Sequence, residues 1–303
     1  SWTGCFTYTI RLVENLGDIS VAPRRLNPGQ NPDMFYSIYI QDGQVKTATK
    51  SYTDTNLNYN WVDHDVLGPG SKVALAFDGY WERLGETLHL VTGENPFLFW
   101  VDLSGNLYKQ MWGNVATKEL IATNVVHVKA LRGWKNFEFP DQDLGVIVAY
   151  IKTDGKVYYR NWSEQVSGTF IWEEETEVVE FTGTALSLNL FITNDYRTGI
   201  TVGANTGDVY WFITDRNWAG VALEKHYISV GASIDTILHS IQYIDTLNKE
   251  YVSVGAGITA WLRYAGLINT FTLIENKELE GDWGKILEVE TEHPIQGATN
   301  ADF

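Results

Sequence analysis

The sequence predicts an all-β chain assembled from about five similar units, and three observations carry that prediction. The first is a spacing. Tyr150-Ile151-Lys152-Thr153-Asp154-Gly155-Lys156-Val157-Tyr158-Tyr159-Arg160-Asn161-Trp162 reads as a strand, a two-residue turn at Asp154-Gly155 and a second strand. Weaker versions stand at Asp42-Gly43, Ser104-Gly105, Thr206-Gly207 and Ala256-Gly257, so the turn glycines recur at intervals of 62, 50, 52 and 50 residues. The second is composition: 12 Trp, 16 Tyr, 13 Phe and 27 Gly against 2 Met suit strands and tight turns better than helices. The third is the series of short apolar runs between the turns, each bounded by Gly, Pro, Asn or Asp.

Taken in order, Cys5 to Glu14 alternates as a strand, and Asn15-Leu16-Gly17-Asp18 turns into Ile19-Ser20-Val21. Met34 to Gln41 is the first arm of the Asp42-Gly43 hairpin, a polar strand runs on through Lys50, and Asn58 to Val66 is the outer strand before Gly68-Pro69-Gly70. The second unit opens on Val73 to Phe77 and echoes the first twice: Leu84-Gly85-Glu86 matches Leu16-Gly17-Asp18, and Gly93 to Trp100 matches Gly29 to Tyr36. Leu107 to Trp112 and Leu120 to Ala122 complete it. The third runs from Val125 to Leu131, through Arg132-Gly133-Trp134 and the acidic loop Asp141-Gln142-Asp143, into the Asp154-Gly155 hairpin and an outer edge from Phe170 to Val179. Glu173, Glu174 and Glu175 on that edge read as charge that blocks edge-to-edge pairing.

Leu186 to Thr193, Gly199 to Ala204, Val209 to Ile213 and Val221 to Val230 form a fourth unit. Ile237 to Ile244, Tyr251 to Val254, Ile258 to Tyr264 and Phe271 to Glu275 form a fifth, leaving Gly284 to Glu290 over. Four short antiparallel strands in each ~40–50-residue repeat predict a β-propeller. Five units give five blades, with six if the terminal strands build an incomplete blade of their own. Residues 1–303 read as a single domain, and a chain that opens on Ser1 is expected to be a module excised from a longer protein.

A net charge of -16 disfavours nucleic acid and anionic membrane surfaces as partners. No apolar run reaches the ~18 residues of a membrane span, so no membrane insertion is expected. The single cysteine, Cys5, excludes an internal disulfide and any Cys/His metal cluster built on cysteine pairs. Asp63-His64-Asp65 reads as a solvated triplet, and the other histidines lack ligand spacing. With no Gly-rich phosphate loop and no Gly-x-Ser-x-Gly elbow, neither a cofactor nor a metal is expected.

The links between first and second strands gather aromatic and charged residues: Asp78, Tyr80, Trp81, Glu82 and Arg83; Arg132, Trp134 and Lys135; Asn194, Asp195, Tyr196 and Arg197. In a propeller such links share one end of the disc, where aromatic faces, Arg and carboxylates suit sugar rings or anionic polymers. Tyr80, Trp81, Arg83, Arg132, Trp134, Tyr196 and Arg197 are therefore the expected ligand-binding residues. The bland alternative is that Trp81 and Trp134 seal the core. Asp78, Glu82 and Asp195 are the carboxylates available if the protein is instead a glycoside hydrolase. Tyr108, Tyr158, Tyr159, Tyr210, Trp211 and Trp261, which follow the turn glycines, are expected to pack between blades.

At Lys152 to Trp162 the chain resembles the Asp-Gly-centred hairpins of bacterial and phage propeller domains, including lectin-like propellers and the adsorption modules of tailed phages. The sialidase motif Ser-x-Asp-x-Gly-x-x-Trp is not matched, since Lys152 and Tyr158 occupy its serine and tryptophan positions. The resemblance implies a non-enzymatic receptor-binding module of a virion or cell-surface protein. Its partner would be a cell-surface glycan or wall polymer, with other tail or surface proteins alongside. A glycoside hydrolase and a purely structural virion module are the alternatives.

Overall fold

A computed structural model describes residues 16–24, 26, 33–51, 61–84, 87–134, 144–166, 169–178, 181–192, 198–206, 208–213, 224–229, 243–244, 250–256, 259–265 and 271–278. All the regular elements among the described residues are strands. The chain divides into two compact units, Arg11–Val179, and Glu180–Phe303 with Ser1–Ile10.

The first unit holds three antiparallel meanders. Sheet one is β1 (Leu16–Arg24), β2 (Met34–Gln41), β3 (Gln44–Ser51) and β4 (Val62–Pro69), paired in chain order. Sheet two is β5 (Lys72–Leu84), β6 (Thr87–Val101), β7 (Leu107–Met111) and β8 (Asn114–Ala122). Sheet three runs β9 (Val125–Trp134), β10 (Leu144–Lys152), β11 (Val157–Val166) and β12 (Thr169–Trp172), with β13 (Thr176–Glu177) also on β11. Burial follows sequence. β2 is apolar on both faces and buried along its length, whereas β4, with Asp63-His64-Asp65, is exposed at the sheet's edge.

Two clusters fill the spaces between these sheets. Tyr36, Ile38, Ile40 and Val45 pack on Val73, Leu75, Phe77, Leu98 and Trp100 between sheets one and two. Ala74, Ala76, Phe97, Phe99, Val101 and Leu107 meet Val128, Val146, Val148 and Tyr150 between sheets two and three. Alternation along each strand explains the division, since odd and even residues of β6 serve opposite neighbours. The facing inner strands are joined by side chains: Asp18 accepts the Val73 N–H at 3.0 Å and the Ser20 hydroxyl the Leu75 N–H at 3.1 Å.

The turns differ from one another. Asp42 and Gly43, with φ of 52° and 71°, make the expected two-residue turn. At Gly105 and Gly155 the loop has three residues, closed by Asp102 N–H to Asn106 C=O and by Lys152 N–H to Lys156 C=O. The glycine there, at φ 80° or 78°, takes the left-handed position of a bulge. Asp102 orders its turn by accepting the Ser104 and Asn106 N–H groups. Burial opposes ionisation of that carboxyl, but the N–H groups outweigh it and hold the pKa below the usual range.

Links between sheets rest on these turns. Gly70 donates to the Gly43 C=O, Val125 to the Gly105 C=O, and Thr153 to the Asn124 C=O. A Cβ on Gly70 would lie 2.3 Å from Val45 Cγ2, so Gly70→Ala is expected to cost about 1–3 kcal/mol through overpacking. A denaturant midpoint equal to wild type would refute this.

The acidic edge of sheet three departs from expectation. Glu173–Glu175 interrupts the outer strand instead of charging it. Glu173 gives its C=O to Arg160 at 2.7 Å and its carboxylate to Asn161 at 3.1 Å. Glu175 accepts from the Tyr150 hydroxyl and from Lys152, each at 2.6 Å. Burial first, and Glu175 second, push the Tyr150 phenol far above its usual pKa.

The second unit holds two further meanders. Sheet four is β14 (Ala185–Ile192), β15 (Thr198–Ala204), β16 (Asp208–Ile213) and β17 (Glu224–Ser229); Leu188, Ile200, Val202 and Phe212 are buried in it. Sheet five is β18 (Tyr243–Ile244), β19 (Glu250–Ala256), β20 (Thr259–Ala265) and β21 (Phe271–Glu278). The strands expected at Cys5 to Glu14 and Gly284 to Glu290 lie outside the described residues.

Both internal echoes are displaced. Leu16 opens β1, whereas Leu84 closes β5. Packing equates Tyr36 with Phe97: each faces the next sheet, each is paired with an inner-strand alanine (Ala22, Ala76), and each meets a tryptophan.

Candidate functional site

The expected binding residues of sheet two lie on a strand, not in a link. β5 passes through Asp78, Tyr80, Trp81, Glu82 and Arg83 to Leu84 and pairs with Thr87–Thr92 of β6, after an irregularity between Phe77 and Gly79. Arg132 and Trp134 are likewise strand residues of β9, paired with Val146 and Leu144. Lys135, Asp195, Tyr196 and Arg197 fall outside the described residues. The sequence hid this because Gly79, Gly85 and mixed charge read as turn chemistry.

At the base of that β5–β6 ribbon, a run of contacting polar and aromatic side chains marks the crevice where sheets one and two meet. Arg24, at the end of β1, donates Nε to both oxygens of Asp33 at 3.1 Å, and Nη2 also reaches Asp33. Its Nη1 donates to the Tyr36 hydroxyl at 3.1 Å and to the Glu94 C=O at 3.4 Å. The hydrogen bond to Asp33 raises the guanidinium pKa against the opposing effect of burial. Burial raises the Tyr36 phenol, and Arg24 partly offsets it. Arg24 is thus fixed and largely saturated. The Asp33 side chain, 42% exposed against 18% for Arg24, is the open member of the pair.

Aromatic rings continue this chain of contacts from Tyr36. Trp112 stands edge-on to Tyr36 at 4.8 Å, and Tyr36 to Phe77 at 5.3 Å. His64 lies 5.6 Å from Trp112, and its Nε2 is 2.7 Å from the Thr49 hydroxyl. The Asp-His-Asp triplet is therefore not simply solvated: Asp63 accepts from the Tyr39 hydroxyl at 2.9 Å, while His64 joins the crevice. Arg24, Asp33, Trp112 and His64 were not singled out from sequence as binding residues. The one available signal was Trp112, which lies one repeat of 50 residues before Trp162.

The equivalent crevice between sheets two and three has different chemistry. Trp162 meets Phe97 at 4.9 Å, and Trp172 meets Phe97 at 5.6 Å. Lys109, paired with Glu119 at 2.6 Å, lies 5.4 Å from the Trp172 ring. Asp78 occupies the place of Arg24. A Cβ on Gly145 would stand 2.9 Å from Asp78 Oδ1 and 2.5 Å from Trp162 Cε3, so carboxylate and ring converge where Gly145 leaves room. Arg132 flanks this point through its pairing with Val146. Asn161 of the Asn-Trp-Ser sequence is 2% exposed, which removes it as a glycosylation acceptor in the folded state.

Of the aromatics after the turn glycines, Tyr108 packs against the cluster between sheets one and two and Tyr158 against that between sheets two and three. Tyr108 stacks on Trp100 at 5.5 Å and Tyr158 on Tyr150 at 6.2 Å. Lys118 lies 4.6 Å from Tyr108 and Lys152 4.3 Å from Tyr158. Tyr210 is buried in sheet four.

Among solved structures the chain is similar to the lectin of Aleuria aurantia in complex with α-methyl-L-fucoside, with a TM-score of 0.52, 12% identity, and 88% of this chain and 79% of that chain covered. The fold is a β-propeller. A further structure of the Aleuria aurantia lectin, described as a six-bladed propeller with a novel fucose recognition mode, matches at a TM-score of 0.45 and 12% identity, covering 88% and 79% of the two chains. The SapL1 lectin with α-methyl fucoside matches at 0.48 and 12% identity, covering 87% and 83%. No protein-family model and no curated protein matches the sequence. The five described sheets are propeller blades, a number compatible with five or six in all.

Proposed function

We propose that the protein is a non-enzymatic recognition module that binds a neutral surface glycan in the crevice between blades one and two. The observation that carries this is the exposed Asp33 carboxylate, pre-organised by Arg24, whose other partner Tyr36 also meets the half-buried ring of Trp112. Arg24 holds the carboxylate in place and neutralises it, leaving lone pairs to accept sugar hydroxyls. Trp112 supplies an apolar wall for a sugar's C–H face, and Thr49 and His64 add polar groups at the rim. The fold likeness to lectins supports the reading. An anionic sugar would meet Asp33 and Glu94 on a chain of net charge -16, which favours neutral ligands.

Hydrolysis is the weaker reading. Of the three candidate carboxylates, Asp78, Glu82 and Asp195, only the Asp78 side chain lies among the described residues, so the structure assigns no acid–base pair. Composition and the Asp-Gly hairpins support a setting on a virion or cell surface, where wall polymers are the natural targets. The test is a printed glycan array probed with wild type and Asp33→Ala. We expect neutral sugars, fucosides among them, to be retained by wild type and weakened at least tenfold by the substitution. Equal retention by both proteins, or release of reducing sugar from a bound polysaccharide, would overturn the proposal.

A further inference from the structure

Gln110 is a polar side chain in an apolar place. It is 2% exposed, yet its Nε2 has no hydrogen-bond partner among the described residues. An amide buried in this way costs folding free energy unless something pairs with it. Buried polar groups in native proteins are nearly always paired, so an exception beside a recognition surface points to function.

Strand register fixes where Gln110 faces. β6 and β7 pair without interruption, with Trp100 opposite Tyr108, Leu98 opposite Gln110 and Phe97 opposite Met111. The Trp112 N–H then donates to the Pro96 C=O at 3.0 Å, which carries the same order one residue further. Leu98 and Trp100 belong to the cluster between blades one and two, and Tyr108 and Trp112, two residues before and two after Gln110, pack on that cluster. Met111 packs on the other cluster. Alternation therefore sets Gln110 on the face that blade two turns toward blade one, between Tyr108 and Trp112.

The outer side of β7 is irregular at the same place. β8 pairs with Lys109 and with Met111 but loses register between them, and none of its residues is paired with Gln110. Trp112 is followed by Gly113, whose φ of 69° turns the chain into β8. The half-buried Trp112 ring thus borders Gln110 at a broken margin of the sheet.

We propose that Gln110 is a specificity residue of the crevice between blades one and two: its amide is held for a hydrogen-bond acceptor of the ligand, a hydroxyl or acetamido oxygen that reaches it as the Trp112 ring shifts to stack on the sugar. This rests on the carbohydrate reading above and adds which ligands are rejected. Asp33 accepts from hydroxyls and demands no acceptor of the sugar, whereas Gln110 does. A buried donor discriminates against analogues that lack the acceptor, because binding them leaves the donor unpaired. A side chain kept for a ligand also has a signature that a structural one lacks. An apolar replacement of similar size removes the unpaired group, so folding is unharmed while recognition is lost.

The test uses methyl glycosides of neutral hexoses, deoxyhexoses and N-acetylhexosamines, each with its monodeoxy or deacetamido analogues. They are titrated against wild type, Gln110→Met and Gln110→Leu, and each protein is melted thermally. For the tightest glycoside, deletion of at least one oxygen-bearing substituent should cost wild type tenfold or more and each variant less than twofold, each protein being compared with its own affinity for the parent sugar. At least one variant should melt at or above wild type. Lower melting of both variants, or equal penalties in wild type and variants for every analogue, overturns the role of Gln110 and leaves the reading of Asp33 and Trp112 standing. Absence of binding of every glycoside by wild type is a separate result, which overturns the carbohydrate reading and the role of Gln110 with it.

Discussion

Phe99→Ala is expected to remove about 3–5 kcal/mol of folding stability, the range for truncating a fully buried phenylalanine. Phe99 has no exposed surface and lies in the middle of the cluster that joins blades two and three. Its ring meets Trp172 edge-on at 5.8 Å and Phe97 at 6.4 Å, so alanine would forfeit two aromatic contacts as well as apolar burial. The flanking strands are hydrogen-bonded on both sides and cannot collapse into the space. Domains of this kind have roughly 5–15 kcal/mol to lose, so the variant should unfold at much lower denaturant with its slope unchanged. A loss under about 1 kcal/mol would mean the blades repack freely, contrary to the close fit described.

Trp112→Ala should have the largest effect on binding, a loss of about 2 kcal/mol or roughly 30-fold in Kd, typical of a central tryptophan at a recognition surface. Stability should change less, because the ring is half-buried and Tyr36 keeps its contacts with Phe77 and Arg24. Titration calorimetry with the best glycan from the array, run on Trp112→Ala, Trp112→Phe and Trp162→Ala, separates the possibilities. Phenylalanine should restore part of the affinity, and the change in the second crevice should leave it within about twofold, since separate sites act additively. Equal losses from Trp112→Ala and Trp162→Ala would show that the ligand does not discriminate between the crevices.

Much of this fold is legible in the residues because the devices that build it are local. Asp42-Gly43 specifies its turn by backbone chemistry, and the apolar run Val146 to Ile151 makes a strand buried on both faces. The loop at Asp154-Gly155 was harder, since a two-residue and a three-residue connection use the same pair of residues. The crevice was largely hidden for a physical reason. Arg24 and Asp33 are brought together by strand pairing across a loop rich in Pro and Asn, and His64 reaches Trp112 from another blade. Contacts of that kind have no local periodicity. The ribbon failed differently, as Gly79 marks a register break within a strand rather than its end.

The joints between blades carry a consequence of another kind. Each sheet completes its own backbone ladder, and blades one and two are stitched along their inner strands by the short side chains of Asp18 and Ser20. A carboxylate and a hydroxyl are easily gained or lost by single substitutions, and neither commits the strand it comes from. The inner-strand stitch between blades one and two can therefore be altered without breaking either blade's backbone ladder. One crevice can change its chemistry, as Asp78 standing where its neighbour has Arg24 illustrates, while the adjoining crevice keeps its own.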